Sequence, residues 1–235
     1  MFMNLIRIVL LSVLPGLLWI GLIYRTDRYE PEPKRMIVKA FILGMFAVFP
    51  AILIENALYP GSDVLSVIVV APLIEELLKF LIFMIFFYHH REFDEPLDGI
   101  IYACSIALGF ATIENVFYVF SAIENNTVYA VAGLRALLSL PGHFLFSALW
   151  GYAAGVVKFG LRPGVTLGAG FAAAVLLHAG FNFTATISAF GISVFIFILS
   201  LYAWIVFSRH LRELQADSRY RNTDDTQRKT DRKAR

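Results

Sequence analysis

Long apolar runs separated by short polar segments dominate the pattern of this chain. Each run is long enough to cross a bilayer as a helix, which takes about 20 residues at 1.5 Å rise per residue. The pattern predicts an all-α, polytopic transmembrane helix bundle of about seven spans, with seven to eight as the range. The predicted spans are residues 3–24, 36–58, 64–88, 99–121, 141–159, 165–187 and 190–207.

The span count depends on residues 128–139, an apolar stretch that contains Arg135 and is too short to cross a membrane. Pro141 follows it, and proline suits the first turn of a helix because its missing N–H has no partner there. The next span is therefore expected to begin at Pro141, with residues 128–139 lying at the membrane interface. A different junction between this stretch and its neighbours would change the count.

Composition supports a membrane protein. The chain is 58% hydrophobic and 16% charged, with a mean hydropathy of +0.69, whereas soluble domains are about 45–50% apolar and about 25% charged. The single cysteine, Cys104, excludes an intramolecular disulfide. The first apolar run has no small-residue cleavage site, so it is expected to be a retained helix.

Basic residues alternate between the loops. Lys and Arg occur in residues 25–35, at Arg91, in residues 158–162 and throughout the tail, but not in residues 59–63 or 121–127. The positive-inside rule then predicts an outer N-terminus and an inner C-terminus. Residues 1–207 are expected to form the membrane domain, with a core at about 64–187. Residues 208–235 are expected to be a charged, partly disordered cytoplasmic tail near anionic lipid headgroups. The lipid bilayer is thus one partner, and no nucleic acid is expected.

The predicted third span contains the polar segment Glu75-Glu76-Leu-Leu-Lys79. A charge at the centre of a spanning helix costs about 2.5–3.5 kcal/mol on insertion scales. Glu75 and Lys79 are four residues apart and are expected to pair on one face. Glu76 is turned about 100° away and is expected to have no partner in its own helix. A structural ion pair would leave Glu76 uncompensated, so a functional site inside the membrane is the favoured interpretation.

Other predicted spans carry polar residues at similar depth: Glu114 with Asn115, His143 near a span's outer start, and His178 with Asn182 on one helical face. Because neighbouring spans alternate in direction, these groups and Glu75 and Glu76 fall in one layer of the membrane. That convergence predicts a single site. His178 with Asn182 as an interhelical hydrogen-bond clamp, and His143 as an interfacial residue, remain alternatives.

Glu55 and Asn56 lie near the outer end of the second span. A carboxylate can reach the headgroup region cheaply from such a position, so we expect no functional role for this pair. Asp94 and Asp98 precede the fourth span and are expected to cap its helix.

Carboxylates, imidazoles and an amide in apolar surroundings are suited to hydrolysis. A buried carboxylate can take a proton from water, and a histidine can orient that water or bind a metal. His178 and Asn182 could donate hydrogen bonds to the oxyanion of a tetrahedral intermediate. The sequence lacks the HExxH zinc signature, so carboxylate-activated and metal-activated water both remain open.

In order along the chain, the motifs resemble those of the PrsW-type intramembrane proteases, distant relatives of the CAAX-processing and bacteriocin-processing membrane proteases. The matching segments are Glu75-Glu76-Leu-Leu-Lys79, Phe110-Ala-Thr-Ile-Glu114-Asn115, His143 and His178-Ala-Gly-Phe-Asn182. Residues 93–100 are similar to the segment that leads into the second of these motifs. The resemblance covers about 64–186, and its specificity comes from the four motifs jointly.

The resemblance implies an intramembrane endopeptidase in a bacterial cytoplasmic membrane. It would cut a membrane-anchored protein near the outer face, such as an anti-sigma factor in stress signalling. The implied catalytic set is Glu75, Glu76, Glu114, His143, His178 and Asn182, with Lys79 and Asn115 in support.

The cofactor depends on the subtype of protease. A glutamate-type enzyme requires none, whereas a metalloprotease would hold Zn²⁺ through His143, His178 and a glutamate such as Glu76. The alternative function is a non-catalytic membrane binding protein or a proton- or ion-coupled transporter, which would use the same buried carboxylates and histidines.

Overall fold

The computed structural model describes residues 2–25, 31–58, 64–187 and 209, and within these residues all regular structure is helical. The helices are α1 (Phe2–Tyr24), α2 (Lys34–Leu58), α3 (Ala71–Phe86), α4 (Pro96–Ser121), α5 (Val128–Leu134), α6 (Leu140–Lys158) and α7 (Leu167–Ile187). A π-helical turn, Ser66–Val70, leads into α3, and a second one, Arg135–Ser139, joins α5 to α6. The predicted all-α class is confirmed.

Five helical segments in this part of the chain are long and apolar enough to cross a membrane. They are Ile6–Tyr24, Lys34–Leu58, Pro96–Ser121, Val128–Lys158 and Leu167–Thr186. The predicted third span is helical from residue 64 to residue 86. Its charged residues, Glu75, Glu76 and Lys79, make it too polar to count among these five segments. The predicted seventh span and nearly all of the tail lie outside the described residues. The protein is thus a multi-pass helical bundle, and the count of seven remains a prediction.

Residues 128–158 run as one helical segment of 31 residues rather than as an interfacial piece followed by a separate span. The Leu140 N–H bonds to the Arg135 carbonyl, five residues back, directly before Pro141. The first π-helical turn likewise ends two residues before a proline, Pro72. A proline ring clashes with the carbonyl four residues earlier in a regular α-helix, and a widened turn relieves that clash. His143 therefore lies near the middle of a long helix, deeper than a span beginning at Pro141 would place it.

Helix α4 occupies the centre of the bundle, where it packs against α1, α2 and α6. Its approach to α2 requires glycine, because a Cβ at Gly109 would overlap the Phe41 carbonyl oxygen and one at Gly44 would overlap the Ile106 carbonyl. Small residues allow such backbone-to-backbone packing between membrane helices. This packing fixes the position of Glu114, five residues beyond Gly109.

Three connections meet at one end of the bundle. Arg35, at the start of α2, forms an ion pair of 3.4 Å with Glu92 in the α3–α4 loop. Lys158, at the end of α6, donates hydrogen bonds to the carbonyls of Tyr88 at 2.7 Å and Phe93 at 2.8 Å. The basic segments of the first loops thus share one end, which we call the basic end. Which side of the membrane this end faces remains a prediction.

Helix α4 begins with a capping box at this basic end. Asp98 accepts hydrogen bonds from the backbone N–H groups of Glu95 at 2.7 Å and Asp94 at 2.9 Å. Glu95 occupies the N-cap position, and its side chain accepts from the backbone of Asp98. The prediction that Asp98 caps this helix is confirmed, while Glu95 rather than Asp94 is its partner.

Candidate functional site

Glu76 is the most completely bonded polar group of α3. Its Oε1 accepts from Lys79 Nζ at 2.7 Å and lies 3.2 Å from His178 Nδ1. Its Oε2 accepts from Ser147 Oγ at 3.0 Å and from Trp150 Nε1 at 3.1 Å. The side chain has no exposed surface. A carboxylate has about four acceptor positions, so Glu76 is saturated by its neighbours in the fold.

Lys79 forms the expected ion pair with Glu75 and a closer one with Glu76. Its Nζ is 2.7 Å from Glu76 Oε1 but 3.8 Å from Glu75 Oε2. The prediction that Glu76 has no partner in its own helix is therefore wrong, because residues three apart are helical neighbours as much as residues four apart. The ammonium also lies 3.1 Å from His143 Nδ1 and 4.6 Å from the centroid of the Phe110 ring.

Glu75 has a contrasting environment although its side chain is also buried. Its Oε2 makes no hydrogen bond within the described residues, yet it lies 3.8 Å from His143 Nδ1 and 3.9 Å from His178 Nε2. Donation from His178 Nδ1 to Glu76 leaves the lone pair of that imidazole on Nε2, which is the nitrogen nearer Glu75. The α3 carboxylate that remains unsaturated thus faces two histidines.

The other nitrogen of His143 reaches a second carboxylate. His143 Nε2 is 2.9 Å from Glu114 Oε2, and the same oxygen is 2.7 Å from Arg135 Nη2. Arg135 Nε donates to Asn115 Oδ1 at 2.5 Å, and the guanidinium lies 3.9 Å from the centroid of the Tyr118 ring. An ion-paired Glu114 therefore orients His143 from the side opposite Lys79.

Arg135 was not among the predicted site residues. The expected interfacial position of residues 128–139 left it outside the membrane core. The signal that would have found it is the isolated charge itself, since an arginine within an apolar helical stretch marks an interior partner.

Asn182 is next to the site but bonded elsewhere. Its Nδ2 donates to the Val67 carbonyl in the first π-helical turn at 2.9 Å, which links α7 to the beginning of α3. A widened turn leaves a carbonyl without its usual helical partner, and the amide supplies one. The predicted oxyanion role of Asn182 would require its amide to leave this carbonyl.

A cavity of about 440 Å³ opens onto these residues. Its polar lining includes Glu55, Glu75, Glu114, Arg135, His143, His178 and Asn182. Glu76, Lys79 and Asn115 do not line it and lie behind its wall. Glu55 is near the end of α2 and Asn182 is near the end of α7, so the cavity lies toward the end of the bundle opposite the basic end. Glu55 lines this cavity, contrary to the expectation of a headgroup-facing carboxylate.

Within the described residues, Glu75, His143 and His178 form a group of possible metal ligands. Each offers one ligand atom, and these atoms all lie within 4.8 Å of one another. Two histidines and a glutamate are a known ligand set for catalytic zinc. This group contains Glu75 and not the predicted candidate Glu76, both oxygens of which have close polar partners. Glu76 instead holds His178 from behind, as a carboxylate does for a metal-binding imidazole.

Comparison with known proteins identifies the family. The model of the PrsW family intramembrane metalloproteases matches residues 32–208. The chain belongs to the PrsW family. It is therefore an intramembrane protease, and membership of the family favours the enzyme over the transporter that the sequence had left open.

Three curated bacterial relatives named Protease PrsW illustrate the similarity. The chain is 38% identical to that of Geobacillus kaustophilus over 155 residues, 64% of this chain and 67% of the relative. The identity is 35% over 205 residues for Oceanobacillus iheyensis, 83% of this chain and 90% of the relative. It is 38% over 166 residues for Clostridioides difficile, 68% of each chain. No solved structure matches the chain significantly.

Proposed function

We propose that this PrsW-family protein cleaves a membrane-anchored protein substrate in the cavity, and that Glu75 takes the proton from the attacking water. One observation carries the assignment of Glu75. Its Oε2 makes no hydrogen bond within the described residues although it is close to two imidazoles, whereas the adjacent Glu76 has four close polar partners. A general base needs a free lone pair next to the reacting group, and Glu75 is the carboxylate of α3 that offers one.

Distances around Glu75 support a bridged arrangement. The 3.8 Å and 3.9 Å separations from its Oε2 to His143 Nδ1 and His178 Nε2 exceed a direct hydrogen bond. Polar contacts of this length are commonly completed by a bridging water or ion. A water held between Glu75 Oε2 and His178 Nε2 would have an acceptor on either side, so both hydrogen bonds would orient its oxygen lone pairs toward the cavity.

The proton follows a short path in this proposal. Glu75 accepts it from water as the water oxygen attacks the peptide carbonyl, and returns it to the leaving amine as the C–N bond breaks. Lys79 Nζ lies 3.8 Å from Glu75 Oε2 and places a positive charge beside this carboxylate. Glu114 keeps His143 in one tautomer, because its carboxylate accepts the Nε2 proton and leaves Nδ1 directed toward Lys79 and Glu75.

The family description implies a metal, and the residues present fit one. With a metal bound, Glu75 would act as a ligand together with His143 and His178 instead of as the base, and Glu76 would orient His178. A zinc ion supplies Lewis acidity toward the peptide carbonyl and toward water when bound in such a site. Lys79 Nζ, 3.1 Å from His143 Nδ1, is the group that would have to withdraw from that nitrogen for His143 to act as a ligand.

The position of the cavity supports cleavage near the outer face of the bacterial cytoplasmic membrane. Basic loops face the cytoplasm by the positive-inside rule, and the cavity lies toward the opposite end of the bundle. A substrate with a single membrane anchor can bring a peptide bond to this depth from the outer side. An anti-sigma factor of that architecture is the proposed substrate, and release of its cytoplasmic partner would connect the enzyme to stress signalling.

A cleavage assay on the purified protein in lipid tests this function. Wild type, Glu75→Gln and the matched control Glu124→Gln, at an exposed loop glutamate, would be compared on a single-span anti-sigma-factor-like substrate, each before and after chelator and after added zinc. We expect cleavage by wild type and by the control, and none above background by Glu75→Gln. Loss with chelator and recovery with zinc would support the metal. Normal turnover by Glu75→Gln would refute the assignment of the base.

A further inference from the structure

The outer part of the cavity contains a carboxylate that the proposed chemistry does not use. Glu55, near the end of α2, lines the same cavity as Glu75 and Glu114. Its Oε1 is shielded from solvent and makes no hydrogen bond within the described residues. A carboxylate oxygen shielded from water is costly unless a cation or several donors compensate it. Glu55 therefore has the properties of a group that awaits a ligand.

The nearby cations are already committed to other partners. Arg135 is the cationic residue in the described lining of the cavity. Its guanidinium contacts Glu114 at 2.7 Å, Asn115 at 2.5 Å and the ring of Tyr118 at 3.9 Å. Lys79 is fully buried behind the lining and bonded to Glu76. Glu55 thus shares the described lining with two further carboxylates, Glu75 and Glu114, and with one cationic residue, Arg135.

The cavity is large enough to join Glu55 to the reacting group. Its volume of about 440 Å³ is within the range of about 300–1,000 Å³ that is usual for ligand pockets. A peptide segment whose scissile bond lies at Glu75 would direct a nearby side chain along the wall toward α2. An ammonium or guanidinium there would form a charge-assisted hydrogen bond with Glu55, roughly twice as strong as a neutral one.

We propose that Glu55 is a specificity subsite that binds a basic side chain, lysine or arginine, close to the scissile bond of the substrate. This inference rests on the proposed function, because it requires a peptide in the cavity. Glu55 contacts the side chain and takes no part in proton transfer. It therefore sets the preference among substrates, not the chemistry of cleavage.

A lysine scan of the substrate tests the subsite. One lysine would be moved through the positions on either side of the scissile bond, each substrate having a matched glutamine version, with kcat/KM as the readout. Wild type is expected to favour lysine over glutamine at one position by about tenfold, which corresponds to about 1.4 kcal/mol. Glu55→Gln should reduce that ratio to about one, and Glu55→Lys should favour glutamate at the same position. Glu124→Gln, an exposed glutamate in the loop after α4, should keep the wild-type ratio.

The outcomes separate the subsite from the enzyme. Cleavage by wild type with equal kcat/KM for lysine and glutamine at every position would overturn the subsite and leave the proposed function standing, as would a preference that survives Glu55→Gln. The comparison of lysine and glutamine substrates uses wild-type enzyme alone, so it tests the subsite even where a variant folds poorly. No cleavage of any substrate by wild type would refute the proposed function and the subsite with it.

Discussion

The polar layer of the bundle has a closed half around Glu76 and an open half around Glu75. In the closed half, Glu76 accepts from Lys79, Ser147 and Trp150 with no exposed surface. In the open half, Glu75 faces the cavity and lacks a hydrogen bond at Oε2. The two glutamates are adjacent in sequence and identical in chemistry. The helical rotation of about 100° per residue is what gives them different surroundings.

This contrast shows that the number of donors around each carboxylate, not the residue type, distinguishes an anchor from a reactive group. A buried carboxylate with four donors is held in place and kept ionised, and it has no acceptor position left for water. A carboxylate flanked by two imidazoles at a distance is free to exchange a proton or bind a cation. His178 connects the halves, because one of its nitrogens contacts Glu76 and the other faces Glu75.

The largest effect should come from the open half. Glu75→Gln keeps the shape of the side chain but removes its charge and basicity. We expect a fall in kcat of about 10²–10⁴-fold, the usual contribution of a general base. Thermal unfolding in detergent should change little, since Oε2 has no hydrogen bond to lose. More than a tenth of wild-type activity in this variant would contradict the division into two halves.

Glu76→Ala should instead act on stability. It leaves Lys79, whose side chain is fully buried, without its closest counter-charge. Breaking a buried pair by removing one partner costs about 3–5 kcal/mol. The measurement is the free energy of unfolding in detergent, with Glu124→Ala, at an exposed glutamate in the loop after α4, as the control.

A second substitution checks the cause of that loss. Lys79→Met in the Glu76→Ala background removes the stranded charge and should recover part of the stability, because replacing both members of a buried pair is often neutral. No recovery in the double variant would mean that the lost bonds to Ser147 and Trp150, not the ion pair, account for the effect.

Most members of the site could be predicted because charges in an apolar span are expensive and therefore informative. The partners of those charges could not. Glu76 with Lys79 was missed because the i,i+4 spacing of Glu75 was preferred over an equally close i,i+3 contact. Glu55 was set aside because position along a span does not reveal whether a residue faces lipid, headgroups or a cavity.

In the fold as in the site, the sequence pattern predicts which elements are present but not how they pack. Apolar runs predicted the all-helical class and the approximate positions of five membrane-spanning segments. The break expected at Pro141 did not occur, because the turn before it widens and the helix continues. A proline in a sequence shows that a regular hydrogen bond is lost but not how the backbone accommodates the loss. That choice fixed the depth of His143 and placed Arg135 inside the site.

A smaller loss of activity is expected when Arg135, the ion-pair partner of Glu114, is changed. Arg135→Gln removes the guanidinium that holds Glu114, leaving His143 attached to an unpaired carboxylate. We expect kcat/KM to fall by about tenfold, which corresponds to about 1.4 kcal/mol. Arg135→Lys should recover part of the loss if charge is the essential feature. Arg91→Gln, at the exposed basic end, serves as the control, and an equal loss there would indicate a general effect of net charge.

The smallest effect should come from Asn182, and its size decides between two roles. As an anchor, Asn182 contributes one hydrogen bond to the Val67 carbonyl, so Asn182→Ala should lower the free energy of unfolding by about 1 kcal/mol. Activity would then fall only a few-fold, through looser packing of α7 against the start of α3. As an oxyanion donor, the same variant would lose about 10²–10³-fold in kcat. Asn125→Ala, in the exposed loop after α4, provides the baseline. A large loss of kcat with unchanged stability would mean that the amide leaves Val67 when substrate binds, and would place α7 in the open half of the layer.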